Sequence, residues 1–149
     1  MLLKEICTPG VVLCRADASA MAAAQLMRQS HVGDLVVVDD PDEDPQPLGM
    51  ITDRDIVIEV LARERDPRST LVREFMRAPV MLARESEDSS VVIERMRAQG
   101  VRRAPVVGDR GALVGIITLD DLLRRLAAEA SALAEIVSRE QSHEQRTRR

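Results

Sequence analysis

The stretch GMITDRDIV, residues 49–57, decides the fold, because GIITLDDLL repeats its pattern at residues 115–123. Each phrase has a glycine, two apolar residues, a threonine, two variable positions, an aspartate and more apolar residues. The likeness extends outward. LLKEICTPGVVLCR (2–15) aligns with LVREFMRAPVMLAR (71–84), and QLMRQSHVGDLVVVDD (25–40) aligns with ERMRAQGVRRAPVVGD (94–109), both at an offset of 69 residues. At the threonine phrase the offset falls to 66, so the first copy carries three extra residues. They belong to DDPDEDPQP (39–47), whose acid and proline content marks a surface loop. The chain is two copies of one unit.

Within each copy the hydrophobic period changes in a fixed order. VVLCR and PVMLAR read as short β segments. DASAMAAAQLMRQS and SEDSSVVIERMRAQG read as helices, with Asp17 and Ser86 as N-caps and Gly100 as the residue that ends the second. LVVVD and APVVG read as buried strands, followed by a loop and a second strand, LGMI or LVGII. A helix then starts at each threonine. In the last one Leu119, Leu122, Leu126, Ala130, Leu133 and Val137 recur at three- and four-residue steps and make an apolar stripe. The order is β-α-β-β-α, with a lead-in holding Ile6 or Phe75. One copy of about 60 residues is marginal alone, so the two are expected to pack together with pseudo-twofold symmetry in a mixed α/β fold. The expected divisions are residues 1–66, 67–126 and a C-terminal extension with a polar tail at 127–149.

Composition narrows the function. The 149 residues are 45% apolar and 31% charged, a globular balance. No apolar run approaches the ~20 residues of a membrane helix. MLLKEICTPG lacks the basic and apolar regions of a signal peptide, so cytoplasm is the expected compartment. A net charge of −4 and a single aromatic ring, Phe75, argue against a nucleic-acid grip built on stacking. Cys7 and Cys14 are too few for a disulfide framework. With His31 they could supply three soft metal ligands, but they form no closed set of recognisable spacing, and packing roles account for them equally.

The T-x-x-D phrase has two readings. As a capping box, the threonine hydroxyl accepts from a backbone N–H and the carboxylate returns the bond, worth roughly 1 kcal/mol. As a ligand site, the strand-to-helix junction offers N–H groups to an anion, and a carboxylate one turn in can accept both hydroxyls of a ribose. Gly49 and Gly115 would then let ligand approach the backbone. GVRRAPVV (100–107) adds Arg102 and Arg103, which could meet phosphates.

GMITDRD and GIITLDD, with GVRRAPVV before the second and VREFM before that copy, resemble a tandem pair of CBS (cystathionine β-synthase) domains from about Leu2 to Leu126. The resemblance implies two clefts between the copies that take adenosyl ligands such as AMP, ADP, ATP or S-adenosylmethionine, and it implies pairing into homodimers. By position it makes Thr52 and Thr118 phosphate contacts and Asp55 and Asp121 ribose contacts. Ile51, Ile117, Val80 and Val106 become adenine packing. The first copy departs from the pattern: HVGDLVVV has His31 for the glycine, Gly33 and Asp34 for the arginine pair, and Val36 for the proline. A carboxylate at Asp34 repels phosphate, so at most one strong nucleotide site is expected.

The leading expectation is a regulatory module that binds an adenosyl ligand and signals to an effector protein in trans. The alternative is a dimerisation scaffold with vestigial clefts. An enzyme is disfavoured, because no P-loop, G-x-S-x-G or H-E-x-x-H is present and DDPDEDP lacks the glycine of a calcium loop. SREQSHEQRTRR (138–149) reads as a frayed helix end or tail. Residues 127–137 exceed what one such repeat requires and are expected to pack across a dimer or cover an edge of the module.

Overall fold

The computed structural model describes residues 1–147. Its elements follow the order read from the repeat: β1 (Leu13–Arg15), α1 (Ala20–Ser30), β2 (Asp34–Val38), β3 (Pro47–Thr52), α2 (Asp53–Ile56), β4 (Ala83–Arg84), α3 (Ser89–Gln99), β5 (Arg103–Val107), β6 (Leu113–Thr118) and α4 (Leu119–Thr147). Helix α2 continues in π-helical form through Val57–Leu61. A 3₁₀ turn precedes each copy, at Leu3–Glu5 and Val72–Glu74. The chain divides into two compact units, Met1–Ile117 and a second that begins at Thr118.

Two three-stranded sheets build the first unit, ordered β1-β2-β3 and β4-β5-β6. β1 pairs parallel to β2, and β2 antiparallel to β3 with Val36 opposite Met50. Strand alternation gives β2 two buried faces. Leu35 and Val37 join a cluster with α1, Ile51, Ile56 and Val60. Val36 and Val38 face the other way, with Met50, against Leu113 and Ile116 of the second copy. This two-sided burial explains the unbroken apolar run LVVV.

The helix ends show what local sequence decides. The N-caps are Ser19, accepting from the backbone N–H of Ala22, and Asp88, accepting from that of Ser90. Both lie two residues beyond the expected Asp17 and Ser86. Asp17 instead pairs with Arg15 at 3.0 Å. Gly100 ends α3 in the left-handed region, φ 64°, and His31 does the same for α1 at φ 53°. His31 thus performs the turn that glycine performs in the second copy.

The lead-ins are exchanged between copies. Leu3 and Lys4 donate backbone bonds to Glu87 and Glu85 of the second copy, and Val72 and Arg73 donate to Ala18 and Ala16 of the first. Further along, Thr8 bridges to Ile116 and Arg77 to Met50. Val72 and Phe75 consequently sit in the first copy's core cluster. The exchange accounts for Gly49 and Gly115. A methyl at Gly49 would lie 2.7 Å from the Arg77 carbonyl oxygen, and one at Gly115 would lie 2.8 Å from that of Thr8. Close approach is required there as expected, but by the other copy's backbone rather than by a ligand.

The second unit is α4, a helix of 29 residues with no buried side chain. Residues 138–147, expected to fray, are helical, and Arg148 and Arg149 of the expected tail lie outside the described residues. Among the described residues no helix is long and apolar enough to cross a membrane.

Candidate functional site

The threonine of the opening phrase ends β3 and caps α2. Its hydroxyl accepts from the Asp55 backbone N–H at 3.1 Å, while Asp55 Oδ2 accepts from the Thr52 N–H at 2.8 Å. Both halves of the capping box are therefore made. Asp55 is only 7% exposed. Its other oxygen, Oδ1, accepts from Nε and Nη2 of Arg77 at 3.3 and 3.2 Å.

These groups line a cavity of about 460 Å³ in the first unit. Thr52, Asp55 and Met50 come from the first copy; Val80, Gly100, Arg102 and Arg103 come from the second. The left-handed turn at Gly100 swings the chain so that Val101 and the two arginines border the cavity. Pro79, Val80 and Met81 add an apolar wall. Arg103 forms an ion pair with Asp34, the residue at the matching position of the first copy. The charge expected to repel phosphate is thus held by a guanidinium. Asp34 itself borders a smaller cavity of about 150 Å³ with Thr8, Val12 and Ile116.

Of the residues singled out in the sequence, the large cavity gathers Thr52, Asp55, Val80, Arg102 and Arg103. Ile51, Val106 and Ile117 are fully buried core residues and are absent from its lining, where Met50, Val80, Met81 and Val101 supply the apolar surface. Thr118 and Asp121 open the second unit. The Thr118 hydroxyl donates to Asp121 Oδ2 at 2.6 Å and accepts from the Asp121 N–H at 3.1 Å, and Arg124 pairs with Asp121 at 3.2 Å. Sequence reasoning missed Arg77. Its repeat mate is Thr8, so comparing the copies drew no attention to it, and only the exchanged lead-in carries it to Asp55.

Among the described residues no group of three or more His, Cys, Asp and Glu side chains is placed to hold a metal ion. Cys7 is half-buried, Cys14 is buried, and both are free thiols. Burial, with a smaller contribution from Asp17, pushes the Cys14 thiol up to about 11.

The composite cavity, the exchanged lead-ins and the doubled T-x-x-D define a tandem architecture, and the model of the CBS domain matches residues 3–62 and 72–128. The chain belongs to the CBS domain family. Hypoxic response protein 1 of Mycobacterium tuberculosis is 34% identical over 127 residues, 85% of this chain and 86% of that protein. An uncharacterized protein of Methanopyrus kandleri is 33% identical over 120 residues; the match spans 80% of this chain and 60% of the relative's length. The crystal structure of Hypoxic Response Protein I with two coordinated zinc ions superposes with a TM-score of 0.72 at 32% identity, over 83% of this chain and 98% of that one. A CBS domain pair in complex with 5′-methylthioadenosine and S-adenosyl-L-methionine gives a TM-score of 0.73 at 28% identity, over 87% of this chain and 98% of that one.

Proposed function

We propose that the large cavity binds an adenosyl ligand (AMP, ADP, ATP or S-adenosylmethionine) and that the chain is a regulatory CBS pair acting on an effector protein in trans. One observation carries this reading: the cavity unites the Thr52–Asp55 pair of one copy with the Gly100–Arg103 turn of the other. Its volume of about 460 Å³ falls in the range of small-molecule sites. Met50, Val80, Met81 and Val101 offer the purine an aliphatic sandwich. Asp55 accepts the ribose hydroxyls, and Arg77, Arg102 and Arg103 face the phosphate or carboxylate end. Thr118 and Asp121 repeat the pair and remain proposed contacts of a second ligand, with Ile117 behind them. The ligand acts by binding two arrangements of the protein unequally. The proposed compartment is the cytoplasm, and catalysis forms no part of the reading.

A second reading, a dimerisation scaffold, is favoured by a different observation. Thr52, Asp55, Arg77 and Arg103 already satisfy one another without ligand. A thermal-shift series with AMP, ATP, S-adenosylmethionine and 5′-methylthioadenosine separates the two. Ligand at about a hundred times its Kd stabilises by about 2.7 kcal/mol, or roughly 5–11 °C at this size. The Asp55→Ala variant should lose that shift while its unliganded Tm falls by only the few degrees of a lost cap. No shift with any ligand leaves the scaffold.

A further inference from the structure

Helix α4 has no buried side chain, yet it presents large apolar residues to solvent: Leu119, Leu123, Leu126, Leu133, Ile136 and Val137 are 36–65% exposed. With Ala130 completing the series, positions 119, 123, 126, 130, 133 and 137 advance by 4, 3, 4, 3 and 4 residues. That is the spacing of a coiled-coil seam, narrower than the stripe of a helix lying on a globular core. It runs about 27 Å along the axis. Helices gain most of their stability from packing an amphipathic face, so this seam requires a partner.

We infer that the partner is α4 of a second copy of this chain, docked antiparallel about a twofold axis near Ala128. The pattern is self-complementary in that direction. Reversal about residue 128 maps Leu119 onto Val137, Leu123 onto Leu133 and Leu126 onto Ala130, so every layer is apolar and the central layers set a large residue against a small one. Leu122 and Ile136 share one flank of the seam and meet across the same axis. The parallel alternative carries its own penalty. Its seam continues to Glu140 and Glu144, each placed against its own copy inside the interface, where unpaired charge is costly. In the antiparallel pair both glutamates lie past the partner's Leu119. Ion pairs engage the helix's charged side chains along its own length: Arg124 with Asp121 at 3.2 Å, Arg125 with Glu129 at 3.2 Å and Arg139 with Glu135 at 4.0 Å. Glu129, which flanks the axis, thereby keeps a counter-ion.

Disulfide trapping in the full chain tests the inference. Leu123→Cys and Leu133→Cys are prepared singly and also co-expressed, then oxidised mildly and run on non-reducing gels beside wild type, which retains Cys7 and Cys14. The co-expressed pair should give a covalent dimer, while each variant alone and wild type remain single chains. Ser131→Cys co-expressed with Ser138→Cys, on the polar side, should also remain single chains. Cross-linking of either seam variant alone would show a parallel pair and overturn the inference. So would its absence from the mixture, or equal cross-linking through the serine positions.

Discussion

Replacing Gly49 with alanine should destabilise the unliganded protein, because the new methyl would lie 2.7 Å from the Arg77 carbonyl oxygen, 3.0 Å from Met76 Sδ and 3.3 Å from Met76 Cγ. An unstrained C···O contact is about 3.3 Å, so the backbones must part by roughly 0.6 Å. The Met50 N–H donates to that same carbonyl at 3.1 Å, and Met50 accepts from the Arg77 N–H at 2.9 Å. Such a separation stretches both bonds toward or past the hydrogen-bonding limit, at about 1 kcal/mol each. A cost of about 2 kcal/mol follows, within the range for overpacked interiors. That lowers Tm by roughly 4–8 °C for a domain of this size. Gly115→Ala should behave alike, since its methyl meets the Thr8 carbonyl at 2.8 Å beside a bridge of two 2.9 Å bonds. Gly33→Ala is the control. Its nearest neighbour is the side chain of Asp53 at 3.3 Å, which can rotate away. Calorimetry on all three without ligand decides the matter. A Gly49→Ala protein melting within about 1 °C of wild type would refute the exchanged lead-in as the reason for the glycine.

Two further outcomes are expected. Asp34→Asn frees Arg103 from a partly exposed ion pair worth under about 1 kcal/mol. Calorimetric titration should show AMP binding up to about fivefold more tightly, with neutral 5′-methylthioadenosine unchanged; equal gains for both would remove Arg103 from the phosphate end. Cys14, buried and with its thiol pushed up to about 11 from 9.0, should resist a thiol reagent at pH 8 in the folded protein, whereas Cys7 reacts. Because its folded value is raised, the stabilisation it contributes is fully present below pH 9 and is lost as pH rises through about 11. Urea midpoints of wild type should therefore fall between those values more than those of Cys14→Ala, and parallel curves would contradict it.

The repeat determined most of the architecture before any coordinates. Its offset of 69 residues, the change to 66 and the proline-rich loop fixed the order of elements, because hydrophobic period and turn chemistry are local properties that a sequence displays directly. Thr52 and Asp55 were legible for the same reason: a capping box spans four residues. Ser19 and Asp88 in place of Asp17 and Ser86 show the resolution of such reading, since several cap-competent residues precede each helix and packing selects among them. What surrounds Asp55 was not legible. Arg77 lies 22 residues away and Arg103 lies in the other copy; only the exchange of lead-ins and the pseudo-twofold packing of the sheets bring them to one cavity. The same packing turned Gly49 and Gly115 from ligand contacts into points where two backbones touch, and put Ile51, Val106 and Ile117 in the core. Local sequence specifies which elements form. Which copy each element packs against is a tertiary decision, set by how much apolar surface the two arrangements of the duplicated unit can remove from water.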